Sequence, residues 1–177
     1  EVHAASPETN DAGLFALYLA GTPFAEADSR KLNAGGGLLS KALLAVSGAS
    51  QAELTVAYKR HGDLGAAGFD LLSNRNAKQG DSLTLLDVAE VFAAMAAARA
   101  TTIRAGLVEG LLRRASPIEA KYLLKLMVGD MRIGVKQSLI EEAISVAANV
   151  AVAAVRNAVM LEADLSAATR RAFASTL

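Results

Sequence analysis

The sequence has no cysteine, no tryptophan, only 3 prolines and only 5% aromatic residues among 177. Without cysteine there is no disulfide scaffold, no zinc-thiolate site and no cysteine nucleophile. Two histidines, His3 and His61, leave little for a histidine metal centre. An excess of either charge is lacking too, because 18 Lys+Arg balance 18 Asp+Glu. Long apolar runs are also missing. The best candidate, residues 147–161, is interrupted by Asn149, Arg156 and Asn157 and falls short of the ~20 apolar residues that a membrane span needs. It reads as a buried helix, and no membrane partner is expected. No basic segment leads into an apolar one, so the sequence as given carries no secretory signal. The expected compartment is the cytoplasm, with nucleoid association in a bacterium.

What the sequence has in quantity is alanine, 38 residues within a 53% apolar total. Small, strongly helix-forming residues favour closely packed helices over a sheet, and neither strand-like alternation nor an Asn-Gly hairpin signal is present. The length suits one domain or a compact pair, since ~150 residues bury roughly two-thirds of their unfolded surface without disulfides. The expectation is an all-α fold, a compact multi-helix domain spanning residues 1–177.

The neutral total hides an asymmetry. Residues 1–90 carry 7 basic and 11 acidic side chains, or −4, and residues 91–177 carry 11 and 7, or +4. Between Arg99 and Lys136 the balance is +5 over 38 residues. A solvated helix surface and a face for an anionic partner both fit that charge.

Helix punctuation is frequent. Leu14, Leu17, Tyr18 and Leu19 form a first apolar helical cluster that stops at Gly21-Thr22-Pro23. The loop Gly35-Gly36-Gly37 precedes a helix from Leu38 to Gly48. Ser50 with Glu53 is a capping box for a helix ending at His61-Gly62, and Asp63 caps the next, short helix. The polar stretch Ser73 to Asp81 reads as a linker. Thr84 with Asp87 starts another helix, and Thr101 or Thr102 the one after it. Ser116-Pro117-Ile118-Glu119 combines an N-cap serine, proline at the first helical position and the reciprocal glutamate. Its helix ends at Gly129, a further one follows Gly134, and two more apolar segments close the chain. No fixed period links the segments, which argues against a solenoid.

The stretch most suggestive of chemistry runs from Leu123 to Ser138. A helix ends at Gly129, a tight connection through Asp130 follows, and Gly134 opens the next helix, exposing the N-H groups of Val135, Lys136 and Gln137. Unpaired amides at a helix N-terminus favour an anion through hydrogen bonds and the helix dipole, and Arg132 and Lys136 add full charges. A plain helix-helix corner with Gly129 as its C-cap fits the same letters. His61 fits a capping or solvated residue better than a ligand or base, and Thr101, Thr102 and Arg104 fit a cap better than phosphate contacts. Gly35-Gly36-Gly37 with Ser40 and Lys41 lacks the order of a phosphate loop. Glu141-Glu142 and Asp87 with Glu90 carry metal-ligand chemistry but fit solvated helix faces better.

In order, Leu17-Tyr18-Leu19-Ala20-Gly21, Gly37-Leu38-Leu39-Ser40-Lys41-Ala42-Leu43, His61-Gly62-Asp63-Leu64-Gly65, Leu83-Thr84-Leu85 and Glu119-Ala120-Lys121-Tyr122-Leu123-Leu124 lead into Gly129-Asp130-Met131-Arg132-Ile133-Gly134. This succession, from about residue 14 to residue 147, resembles the N-terminal DNA-binding domain of ATP-dependent DNA ligases. The resemblance implies an all-helical domain that encircles nicked duplex DNA together with the catalytic core of the same parent protein. It would grip the backbone across the minor groove without reading sequence, serving nick sealing in repair, recombination or replication. It implies DNA contacts at Gly129, Asp130, Arg132, Gly134, Val135, Lys136, Gln137 and Ser138. On motif alignment and helix-terminal placement it also implies them at Lys41, Gly62, Thr102 and Arg104.

Two departures stand out. Family domains begin with another amphipathic helix before the Leu-Tyr-Leu-Ala-Gly segment, whereas only Glu1 to Gly13 precede it here. The Lys-x-Asp-Gly nucleophile motif of nucleotidyl transfer is absent from all seven lysine contexts, and Lys78-Gln79-Gly80-Asp81 has its letters in the wrong order. The chain is expected to form no enzyme-adenylate, to need no cofactor of its own, and to leave ATP and Mg to catalytic domains that it lacks. A helical protein-interaction module, or a ligase-like protein without the DNA role, is the alternative.

Overall fold

The computed structural model describes residues 7–74 and 82–177. Its helices are α1 Pro7–Leu19, α2 Gly36–Ser47, α3 Gln51–His61, α4 Leu64–Ser73, α5 Leu85–Ala97, α6 Thr101–Arg114, α7 Pro117–Val128, α8 Gln137–Ala148, α9 Val152–Glu162 and α10 Leu165–Phe173. Among the described residues there is no strand, so the fold is all-α. His3, the linker from residue 75 onward and Lys78-Gln79-Gly80-Asp81 lie outside the described residues.

Side chains close to the start of each helix explain five of the N-termini. The Ser50 hydroxyl accepts the Glu53 N–H at 3.2 Å while the Glu53 carboxylate accepts the Ser50 N–H at 2.7 Å. Thr84 with Asp87 and Ser116 with Glu119 repeat this box at α5 and α7. Asp63 caps α4 through the N–H groups of Gly65 and Ala66, and Asp164 caps α10 through that of Ala167. Each cap contributes about 1 kcal/mol by satisfying amides that have no intrahelical acceptor.

Elsewhere the boundaries move from those expected. Helix α1 holds the Leu14–Leu19 cluster but begins at Pro7. Gly36 and Gly37 belong to the first turn of α2, not to a loop, and Gly35 is the N-cap. Neither Thr101 nor Thr102 caps α6. Its N-cap is Ala100, both threonines are already helical, and the Thr101 hydroxyl accepts from Arg104 instead.

Contacts divide the chain into two compact units, one built from its two ends, up to Lys31 and from Met131, and the other from Leu32–Asp130. In the first, α1 packs on α10, and α8, α9 and α10 pack on one another. Ala16, Ile140, Ile144, Val155, Leu165 and Ala172 form its apolar cluster. In the second, α4 packs on α7, α3 on α4, and α2 and α5 on α6. Leu39, Leu43, Phe92, Val108, Leu112 and Leu124 are fully buried there. The α4–α7 contact is very close: a Cβ on Gly65 would stand 2.5 Å from the Lys121 carbonyl oxygen.

Candidate nucleic-acid interface

The segment from Gly129 to Ser138 is held at both ends. Gly129, at φ 80°, caps α7, and the N–H groups of Gly129 and Asp130 both return to the Lys125 carbonyl at 3.0 Å. The chain passes from the second unit into the first between Asp130 and Met131. Arg132 at φ 45° and Gly134 at φ 72° then turn it in the left-handed region. A Cβ on Gly134 would meet nothing within 4 Å, so backbone conformation rather than crowding calls for glycine there. Val135 packs its side chain against the apolar cluster of the first unit and anchors the turn.

Helix α8 begins later than expected. Lys136 is its N-cap, extended at φ −91° and ψ 152°, with no side-chain cap. The Lys136 carbonyl accepts the Leu139 N–H at 2.9 Å and the Ile140 N–H at 3.4 Å. The amides without an intrahelical acceptor are therefore those of the N-cap Lys136 and of Gln137 and Ser138 in the first turn, whereas Val135 lies before the helix. The Gln137 side chain donates back to Glu141 at 3.0 Å, and its backbone N–H has no intrahelical acceptor. Arg132, Lys136, Gln137 and Ser138 are exposed, and Lys136 has no ion-pair partner among the described residues. One turn thus gathers Arg132, Gly134, Lys136, Gln137 and Ser138.

The remaining candidates belong to the second unit, Gly62, Thr102 and Arg104 at helix ends and Lys41, against expectation, in the middle of its helix. Lys41 is exposed on α2, whose start has no side-chain cap. Gly62, at φ 63°, is the C-cap of α3, and Thr102 is exposed in the first turn of α6. Arg104 is committed elsewhere: its guanidinium donates to the Ala98 carbonyl at 2.6 Å and to the Thr101 hydroxyl at 3.2 Å, joining the end of α5 to the start of α6.

The basic run is also less available than its letters imply. Arg113 pairs with Glu109 at 3.6 Å and Arg114 with Asp87 at 3.1 Å. Lys125 is only 6% exposed and forms an ion pair with Asp63, which the sequence reading does not anticipate. A signal for its burial is present, because Lys125 sits inside the run Leu123-Leu124-Lys125-Leu126-Met127 that α7 buries. Burial alone would push the Asp63 carboxyl up, but Lys125 and the amides of Ala66 and Gly65 hold it below the usual carboxylate range. The Asp87 carboxyl is likewise held low, by the Thr84 N–H and hydroxyl and by Arg114. His61 lies 2.7 Å from the Asp70 carboxylate as a surface pair. Glu141 is buried and engaged by Gln137 and Arg156, as Asp87 is by Thr84 and Arg114.

The class follows from this arrangement: an all-α domain whose candidate contact residues, Lys41 excepted, sit at helix ends and corners. Over residues 2–145 the chain matches the family described as DNA ligase N terminus. A probable DNA ligase from Koribacter versatilis is 43% identical over 155 residues, covering 88% of this chain and 27% of that protein. A DNA ligase from Methanopyrus kandleri is 37% identical over 161 residues, covering 85% and 28%. A probable DNA ligase from Opitutus terrae is 33% identical over 199 residues, covering 94% and 20%. The chain belongs to the DNA ligase N-terminus family, the N-terminal domain of ATP-dependent DNA ligases. It spans about a quarter of the length of these relatives.

Proposed function

We propose that this domain grips nicked duplex DNA through phosphate-backbone contacts across the minor groove, as part of a ligase that seals nicks in DNA repair, recombination or replication. The observation that supports this reading is the distribution of caps. Helices α3, α4, α5, α7 and α10 satisfy their first amides with their own side chains. Helices α2, α6, α8 and α9 do not, and the uncapped starts of α6 and α8 hold positions at which the resemblance implies DNA contacts: Thr102 and Arg104, then Lys136 to Ser138. Amides left without an internal acceptor suit phosphate oxygens, and such contacts position a protein on DNA without distinguishing bases.

Within this proposal Arg132 and Lys136 supply charge, Gln137 and Ser138 supply backbone donors, and Gly134 allows close approach. Gly129 and Asp130 set the entry to the turn, Val135 holds it from behind, and Arg104 acts by fixing the start of α6. The chain holds no Lys-x-Asp-Gly sequence, so its lysines do not fit the role of the adenylated nucleophile. ATP and Mg are assigned to the catalytic core of the parent ligase, the domain's proposed partner. Replacing Arg132 and Lys136 with Ala tests the interface. Binding should weaken equally for duplexes of different sequence, and the slope of log K against log salt should shrink by about 0.9 for each phosphate no longer engaged. An altered sequence preference would contradict backbone recognition.

A further inference from the structure

Lys125 is the most deeply buried ammonium group among the described residues, at 6% exposure, and it touches two helix ends at once. Its side chain pairs with Asp63, the N-cap of α4, whose Oδ1 also accepts the Gly65 N–H at 2.7 Å and the Ala66 N–H at 3.3 Å. Asp63 directly follows Gly62, the C-cap of α3, so the pair sits at the α3–α4 corner. Through its own carbonyl, Lys125 accepts the N–H groups of Gly129 and Asp130 at the end of α7. Around the pair the packing leaves no slack, since a Cβ on Gly65 would lie 2.8 Å from Lys125 Cγ and one on Gly68 would lie 2.5 Å from Leu124 Cδ1.

A buried ion pair is weak evidence for added stability, because desolvating both charges offsets much of their attraction. Its geometric demand is strict, however: the ammonium must meet the carboxylate where two helix ends converge. We propose that Lys125 is a positioning residue, whose ion pair with Asp63 and carbonyl bonds to Gly129 and Asp130 hold the Gly62 corner and the end of α7 in one fixed arrangement. This rests on the DNA-binding reading, in which both ends lie beside backbone-contacting turns. Being buried, Lys125 cannot itself neutralise a phosphate, so any effect it has on the number of phosphates engaged must pass through the ends it fixes.

Lys125→Met tests this, because it removes the charge but leaves Asp63 with its two amide bonds. The Asp63→Asn/Lys125→Met double variant serves if the single one folds poorly, since it leaves no unpaired buried charge. In the free protein, amide hydrogen exchange should accelerate at both Gly62 and Asp130 while Val108 and Leu112 of α6 keep their rates. With a nicked duplex, the folded variant should bind roughly tenfold more weakly, in the range of coupled contacts. Its salt slope should fall by about 0.9 for each phosphate released from the interface. Faster exchange at one end only, or wild-type affinity and slope in a folded variant, would overturn the positioning role. If the wild-type chain shows no salt-dependent binding, the DNA reading itself fails, and the exchange result separates that failure from a failure of the coupling.

Discussion

Gly65 and Gly106 are both helical glycines with opposite reasons for existing. A methyl on Gly65 would be forced against the Lys121 carbonyl at 2.5 Å, whereas one on Gly106 would meet no atom within 4 Å. Gly65→Ala should therefore destabilise by about 1–3 kcal/mol through overpacking of α4 on α7. Gly106→Ala should stabilise α6 by up to about 1 kcal/mol through helix propensity. Urea unfolding checks both, and equal midpoints for the two variants would contradict the close α4–α7 crossing. The sequence marks Gly65 as one bracket of a helix junction but does not reveal its contact, because the partner helix lies far along the chain. The same limit hides the commitments of Lys125 and Arg104. Their letters count as positive charge, while their neighbours in space decide whether that charge reaches solvent.

At the level of helices, the local signals are the readable ones. Capping boxes at Ser50, Thr84 and Ser116 are written within four residues and form as their spacing requires. Helix α6 begins at Thr101, one of its two expected places, but without the expected cap, and α8 begins two residues later than expected, no side chain near either start accepting the first amides. That absence of a local signal is the property the proposed interface uses. The capped starts also make a pH prediction. The carboxyls of Glu53, Asp63 and Asp87 are all held below their ordinary values by bonds that exist only in the folded state. A depressed folded-state value gives stability that is complete above the unfolded value of about 4 and is lost as pH falls through the folded value. The melting temperature should thus decline below about pH 4. Asp87→Asn should make that decline shallower, and an identical acid profile would show that the capping carboxylate carries none of the linkage.

For the whole molecule, composition is enough to indicate helices, and motif order is enough to indicate the family. The division into two units is not visible in the sequence, because one unit is assembled from the two ends of the chain. Sequence-local patterns carry no trace of such an assembly. The motif Gly129-Asp130-Met131-Arg132 lies where the chain crosses from one unit to the other, so the most specific sequence signature falls at a feature only the fold defines. Net charge takes on a different meaning at this scale as well. Neutrality removes a strong overall field, and several cations between Arg99 and Lys136 are engaged by internal partners. The proposed DNA binding would then be left to a few helix ends and should be modest in strength. The most direct measurement is a fluorescence-anisotropy titration of this chain against nicked duplexes of two unrelated sequences across a range of salt. Backbone gripping predicts equal affinities for both sequences and a linear fall of log K with log salt, by about 0.9 per phosphate engaged. Salt-insensitive binding, a preference for one sequence, or no binding at low salt would contradict it.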